Sequence, residues 1–135
     1  MNARHTITLS PVPADIDELD HVSNLVYVRW ILEVALSHSG ALGWDHAAYR
    51  RLGAVFVVRR HEIDYLQSVV LGDEVRATTW VESWKQVSCV RKTELVRAKD
   101  AVVVARASTT WAFIDYNGKP RRIPPELLEL FTTRG

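Results

Sequence analysis

Residues Asp15 to Ser37 read D-I-D-E-L-D-H-V-S-N-L-V-Y-V-R-W-I-L-E-V-A-L-S, an acidic run that feeds straight into an almost wholly apolar one. From Leu25 onward the clearly polar members are Arg29, Glu33 and Ser37, spaced at i, i+4 and i+8, which puts them in one narrow stripe on a helix. A helix apolar on its other sides must be wrapped by protein. Within the stripe Arg29 and Glu33 stand at pairing distance. Gly40 is placed to end the helix.

The material to wrap it lies on either side. Trp44 to Gly53, W-D-H-A-A-Y-R-R-L-G, predicts a short second helix with Asp45 near its start and Gly53 past its end. From Ala54 the pattern changes to strand, rich in Val, Ile, Thr, Tyr and Trp. The first run, A-V-F-V-V-R-R-H-E-I-D-Y-L-Q-S-V-V, ends at the turn Leu71 to Asp73. E-V-R-A-T-T-W-V-E-S-W, V-S-C-V-R-K-T-E-L-V-R-A and A-V-V-V-A-R-A-S-T-T-W-A-F-I-D-Y follow. Breaks near Lys85-Gln86 and Lys99-Asp100 suit hairpins, and Asn117-Gly118 is a turn signal. Upstream, His5 to Leu9 alternate weakly before Pro11 and Pro13, as an edge strand tolerates. The tail I-P-P-E-L-L-E-L-F predicts a short closing helix.

These elements give one α+β domain spanning residues 1–135. Four strands in a meander, antiparallel because their connections are short, curl around the central helix. Long strands leave a long edge to cover, so a dimer joining two sheets edge to edge, or a tetramer built from it, is expected.

Composition narrows the class of function. Lysine and arginine number 17 against 16 acidic residues, and a formal charge of +1 does not suit a protein built around nucleic-acid phosphates. Arg50-Arg51, Arg59-Arg60 and Arg121-Arg122 are scattered surface pairs, the second with one residue on each face of its strand. The single cysteine, Cys89, has no intrachain partner, and the N-terminus M-N-A-R-H-T-I-T-L has no apolar secretory core, so a cytoplasmic location is expected. The apolar run Leu25 to Leu36 falls short of the roughly 20 residues that cross a bilayer.

Three accounts compete for the acids ahead of the helix. Asp15, Asp17 or Asp20 caps a helix or solubilises a loop. Alternatively Asp15, Asp17, Asp20 and His21 bind a metal, although no companion ligand pair at a recognisable spacing supports this. In the third account a carboxylate sits beside helix N–H groups that lack intrahelical partners. Those amides polarise a carbonyl while the carboxylate attacks it or activates water, as acyl transfer requires.

The stretch D-I-D-E-L-D-H-V-S-N-L-V-Y-V-R-W resembles the signature D-x-D-x-x-G-H-V-x-N-x-x-Y of hotdog-fold acyl-CoA thioesterases of the 4-hydroxybenzoyl-CoA thioesterase type. V-V-R-R-H-E-I-D-Y-L-Q-S-V-V-L-G-D-E-V and W-A-F-I-D-Y-N-G-K-P-R-R-I-P are similar to that family's second strand and its last strand and tail, so the likeness covers nearly the whole chain. The resemblance implies a hotdog fold and an acyl-CoA substrate; no cofactor or metal is expected. It implies Asp17 as nucleophile or general base. His21 and Asn24 would shape the loop and the helix start, their amides serving as donors to the thioester oxygen. Tyr27 falls on the aromatic position of the first turn, where a core tyrosine is an equal description. Lys85 and, less directly, Arg91 fall where relatives carry bases that meet the CoA phosphates, although plain solvation is the leading description of a lysine at a hairpin.

The chain departs from the pattern at three places. Asp20 stands where glycine is usual, and its charge either favours a basic role for Asp17 or points outward. Ser23 replaces a common asparagine, and Pro11 and Pro13 roughen the first strand. Glu33 belongs to the stripe as the partner of Arg29, since the H-G-G sequence that accompanies a helix acid in another thioesterase branch does not occur. Glu62 and Asp64 share one strand face as surface or interface residues, and His38, His46 and His61 have no assigned role. Acyl-CoA hydrolysis is the leading expectation. The alternatives are a noncatalytic acyl-binding module and a hydratase or dehydratase, whose D-x-N-P-x-H loop the chain does not match.

Overall fold

The structure, a computed structural model, describes residues 3–133. Strands β1 (Arg4–Leu9), β2 (Ala54–Tyr65), β3 (Val75–Trp84), β4 (Ser88–Arg97) and β5 (Val102–Asp115) form one antiparallel sheet in the order β1-β3-β4-β5-β2. Helix α1 (Asn24–Ala41) lies in its concave face, with α2 (His46–Leu52) and α3 (Pro125–Thr133) at one end. The curled antiparallel sheet around a long helix is the architecture expected from the sequence.

The path differs from a four-strand meander. Only β3, β4 and β5 follow one another; β2 pairs with β5, from Ala54 opposite Asp115 to Tyr65 opposite Ala105. The segment Leu66 to Glu74 is too long for a hairpin, so β2 lies at the far edge. A bulge between Val58 and Arg60 breaks the alternation, and Arg59 and Arg60 are both exposed rather than divided between faces.

Alternation is strict on β4, where Cys89, Arg91, Thr93 and Leu95 point inward and their neighbours do not. Two apolar clusters result. Around the first half of α1, Val26, Trp30, Ile31 and Val34 pack on Val75, Ala77, Leu95 and Val104. At the other end, Tyr49, Val81, Phe113, Leu127 and Phe131 form the second.

Helix α1 departs from expectation in three ways. It runs through Gly40 to Ala41, and Gly43, at φ +89°, takes the left-handed turn that follows it. Its outer stripe is wider than three residues, because Leu25 and Leu36 are exposed beside Arg29 and Glu33. Arg29 pairs with Asp15, not Glu33: its Nη2 donates to Asp15 Oδ1 at 2.9 Å. A carboxylate held in place by the fold outcompetes a mobile one on an exposed helix face. Among the described residues no helix is long and apolar enough to cross a membrane.

Candidate active site

After β1 the chain makes a single 3-10 turn, Pro13–Asp15, and its last residue turns inward. Asp15 is 4% exposed. Its Oδ2 accepts from the Val12 amide at 3.0 Å, its Oδ1 takes the Arg29 guanidinium, and its carbonyl accepts from the Ser23 amide at 2.9 Å. The Val12 amide, followed by Arg29, holds this carboxyl below its ordinary value although burial acts the other way. Asp15 therefore ties the loop to the helix it precedes.

A tight loop follows, closed by a bridge between Ile16 and Val22. The Asp17 amide donates to the His21 carbonyl at 2.8 Å and the Asp20 amide to the Asp17 carbonyl at 3.1 Å. Asp20 takes φ +62°, a left-handed conformation that glycine adopts freely and aspartate tolerates better than most residues. The residue that departs from the resembling signature thus occupies a position with a backbone reason for glycine, and its side chain is exposed. Val22 fastens the loop to the crossing segment through its amide and the Val69 carbonyl, 2.8 Å apart.

Asp17 comes out of this turn exposed, with Oδ1 accepting from the Leu19 amide at 2.9 Å. It lines an open cleft of about 530 Å³ together with His21, Asn24 and Tyr27, and Leu66, Gln67 and Ser68 supply the opposite wall. Tyr27 is buried, and its hydroxyl donates to the Gln67 carbonyl at 2.9 Å, fixing one wall against the other. Ser23 caps α1, its hydroxyl accepting from the Leu25 amide at 3.2 Å and its carbonyl from Val26 at 2.9 Å. The Asn24 amide, first in the helix, has no intrahelical acceptor. A carboxylate and the first residue of a helix thus line one cleft, and a helix-start amide beside a carboxylate is a pairing able to act on a carbonyl group.

The four residues expected around the helix start are brought together; the two bases are not. Lys85 is exposed at the β3–β4 hairpin, its amide donating to the Ser88 carbonyl at 2.8 Å. Leu9 pairs with Val75, so the acidic loop sits at the start of β3 and Lys85 lies beyond its end, about 30 Å away along the strand. Arg91 is buried on the inner face of β4. The wall from Leu66 to Ser68 was not anticipated; its one signal is the polar pair Gln67-Ser68 interrupting a strand-like run. Among the described residues no group of three or more His, Cys, Asp or Glu is placed to hold a metal ion.

Known proteins bear on this arrangement. A 1,4-dihydroxy-2-naphthoyl-CoA thioesterase from Synechocystis superposes with a TM-score of 0.87 at 17% identity, covering 96% of both chains. A DHNA-CoA thioesterase from Staphylococcus aureus gives 0.86 at 22% identity, over 96% of this chain and 89% of that one. A thioesterase from Thermus thermophilus, complexed with coenzyme A and Zn, gives 0.81 at 21%, over 94% and 91%. Likeness at these identities establishes the hotdog fold. No curated protein sequence matches the chain. The sequence profile of the Thioesterase-like superfamily matches residues 11–131, from the prolines before the acidic loop to the closing helix. With the cleft, the central helix and strands β2 to β5 inside that match, the chain belongs to the Thioesterase-like superfamily.

Proposed function

We propose that the protein is an acyl-CoA thioesterase of the 4-hydroxybenzoyl-CoA thioesterase type, with Asp17 as its catalytic carboxylate. The observation that carries this reading is the meeting of Asp17 with the start of α1 in one open cleft, in a chain of thioesterase-like ancestry. Leu19 takes up one carboxylate oxygen, which leaves Oδ2 to work. That oxygen attacks the thioester carbon, or removes a proton from a water that attacks it. The carbonyl oxygen gains charge beside the Asn24 amide, the C–S bond breaks, and the CoA thiolate leaves to take up a proton. On the first route water then cleaves the acyl-Asp17 anhydride, which releases the acid and restores the carboxylate. His21 holds the turn through its carbonyl, and Tyr27 braces the cleft wall.

Oligomerisation belongs to this reading. The sheet ends in β2, whose outer side has no neighbouring strand among the described residues, and pairing two such edges covers both. At its distance from Asp17, Lys85 can meet CoA phosphates only when the CoA is bound to another subunit. Arg91, being buried, is left out of that contact.

The test is a panel of aromatic and aliphatic acyl-CoA esters with free thiol as the readout, alongside sedimentation of the protein. The expected result is hydrolysis of at least one ester, abolished in Asp17→Ala, by a dimer or tetramer. Hydrolysis as fast by Asp17→Ala as by wild type removes Asp17 from the mechanism. Release no faster than in buffer across the panel removes the activity.

A further inference from the structure

A second cavity, of about 320 Å³, lies at the opposite end of α1, some 24 Å along the helix from the Asp17 cleft. Its walls are aromatic: Trp44, Tyr49, Phe56, Trp84, Trp111 and Phe131. Most of its polar groups are already satisfied. Ser39 Oγ and Tyr49 OH lie 2.7 Å apart, the serine hydroxyl also bonds the Trp44 carbonyl, and Asp45 at the edge accepts from the Ala48 amide. Burial pushes the Cys89 thiol up to about 12, which keeps it uncharged.

Three groups are not satisfied in this way. The indole N–H groups of Trp84 and Trp111 are buried and have no hydrogen-bond partner among the described residues. Arg91, 6% exposed, also lines the cavity. Its Nη1 donates to His38 Nδ1 at 2.9 Å and Thr79 Oγ1 at 3.1 Å, which uses two of its five N–H donors on neutral acceptors. The guanidinium also lies 5.6 Å from the centre of the Phe131 ring. Among the described residues no carboxylate pairs with it. A buried cation without a counterion is costly to keep, as is each unpaired indole N–H. An apolar cavity with a charged group in its wall is also a usual form of a small-molecule site.

We propose that this cavity is a binding site for a small aromatic monocarboxylate, its ring held among the tryptophan and phenylalanine faces and its carboxylate by Arg91. The carboxylate supplies the missing negative charge, and the flat walls select a ring over a flexible chain of equal volume. The site does not depend on the thioesterase reading, because binding is measured without turnover.

Calorimetric titration of the full chain with benzoate and 2-naphthoate, and with their neutral amides, tests it. Either acid is expected to bind, with its amide at least about tenfold weaker, since the amide cannot neutralise Arg91. Arg91→Met is expected to lose the binding, Trp111→Ala to weaken it about tenfold by removing a ring from the wall, and Asp17→Ala to bind like wild type. If Arg91→Met does not fold, Trp111→Ala and the acid-to-amide ratio carry the test. Equal binding of acid and amide overturns the proposal. So does loss of binding in Asp17→Ala, or no binding of either acid up to millimolar concentration.

Discussion

The Asp15 carboxylate is buried 2.9 Å from the Arg29 guanidinium, while Asp17, two residues on, turns its carboxylate outward to a cleft. The division follows from the loop: the 3-10 turn points Asp15 at α1, and the bridge between Ile16 and Val22 swings Asp17 to the other side. One acid holds the fold and the neighbouring one is free for chemistry.

Isosteric amides separate those roles. Asp15→Asn keeps the shape but removes the charge facing Arg29. Since Arg29 is more than half exposed, the expected loss is modest, about 1–2 kcal/mol by urea unfolding. Asp17→Asn can still accept from the Leu19 amide, so its stability should stay within about 0.5 kcal/mol of wild type while acyl-CoA turnover falls at least about a hundredfold. A stability loss confined to Asp17→Asn would reverse the assignment.

Asp20 permits a test of backbone against charge. At φ +62°, a β-branched residue carries a left-handed penalty that glycine escapes. Asp20→Gly is expected to leave the thermal midpoint unchanged or raised, and Asp20→Val to cost about 1–2 kcal/mol. If the charge of Asp20 also assists Asp17, Asp20→Gly alters the pH profile of turnover; an unaltered profile leaves Asp20 a purely conformational role.

What could be read from the residues alone divides along physical lines. Helix α1, the strands and the gathering of Asp17, His21, Asn24 and Tyr27 depend on local periodicity and short spacing, and local patterns report such features well. The Arg29–Asp15 pair and the placement of β2 beside β5 depend on contacts across many residues, which no window of sequence contains. Arg91 was legible in part. It shares parity with Cys89, Thr93 and Leu95 on β4, and His38 follows Val34 by four positions and Ile31 by seven, so strand and helix periods both point these polar groups inward. Charge argues for the surface, and here the period prevailed.

The bond from Tyr27 to the Gln67 carbonyl joins the two walls of the cleft. Tyr27→Phe deletes the donor without opening a cavity, at an expected cost of about 1 kcal/mol. Because the loss falls on the wall and not on the carboxylate, KM should rise with little change in kcat. A collapse of kcat at unchanged KM would instead give the hydroxyl a place in the transition state.

His38 sets an acid limit on stability. It is 2% exposed, and burial first, then the charges of Arg91 and His5, lower its pKa from 6.5 to about 3. The folded protein therefore keeps the ring neutral, with Nδ1 accepting from Arg91, whereas the unfolded chain takes up a proton below 6.5. Unfolding gains a proton as pH falls, so stability declines from about 6.5 toward 3, by about 1.4 kcal/mol per pH unit for one group. His5, stacked on His38 and lowered chiefly by burial, contributes in the same direction. Urea unfolding near pH 7 and near pH 5 should show wild type losing roughly 2 kcal/mol more than His38→Gln, which retains an acceptor for Arg91 but no titrating ring. Equal losses in the two proteins would mean that His38 takes up its proton within the fold, and that Arg91 has another acceptor.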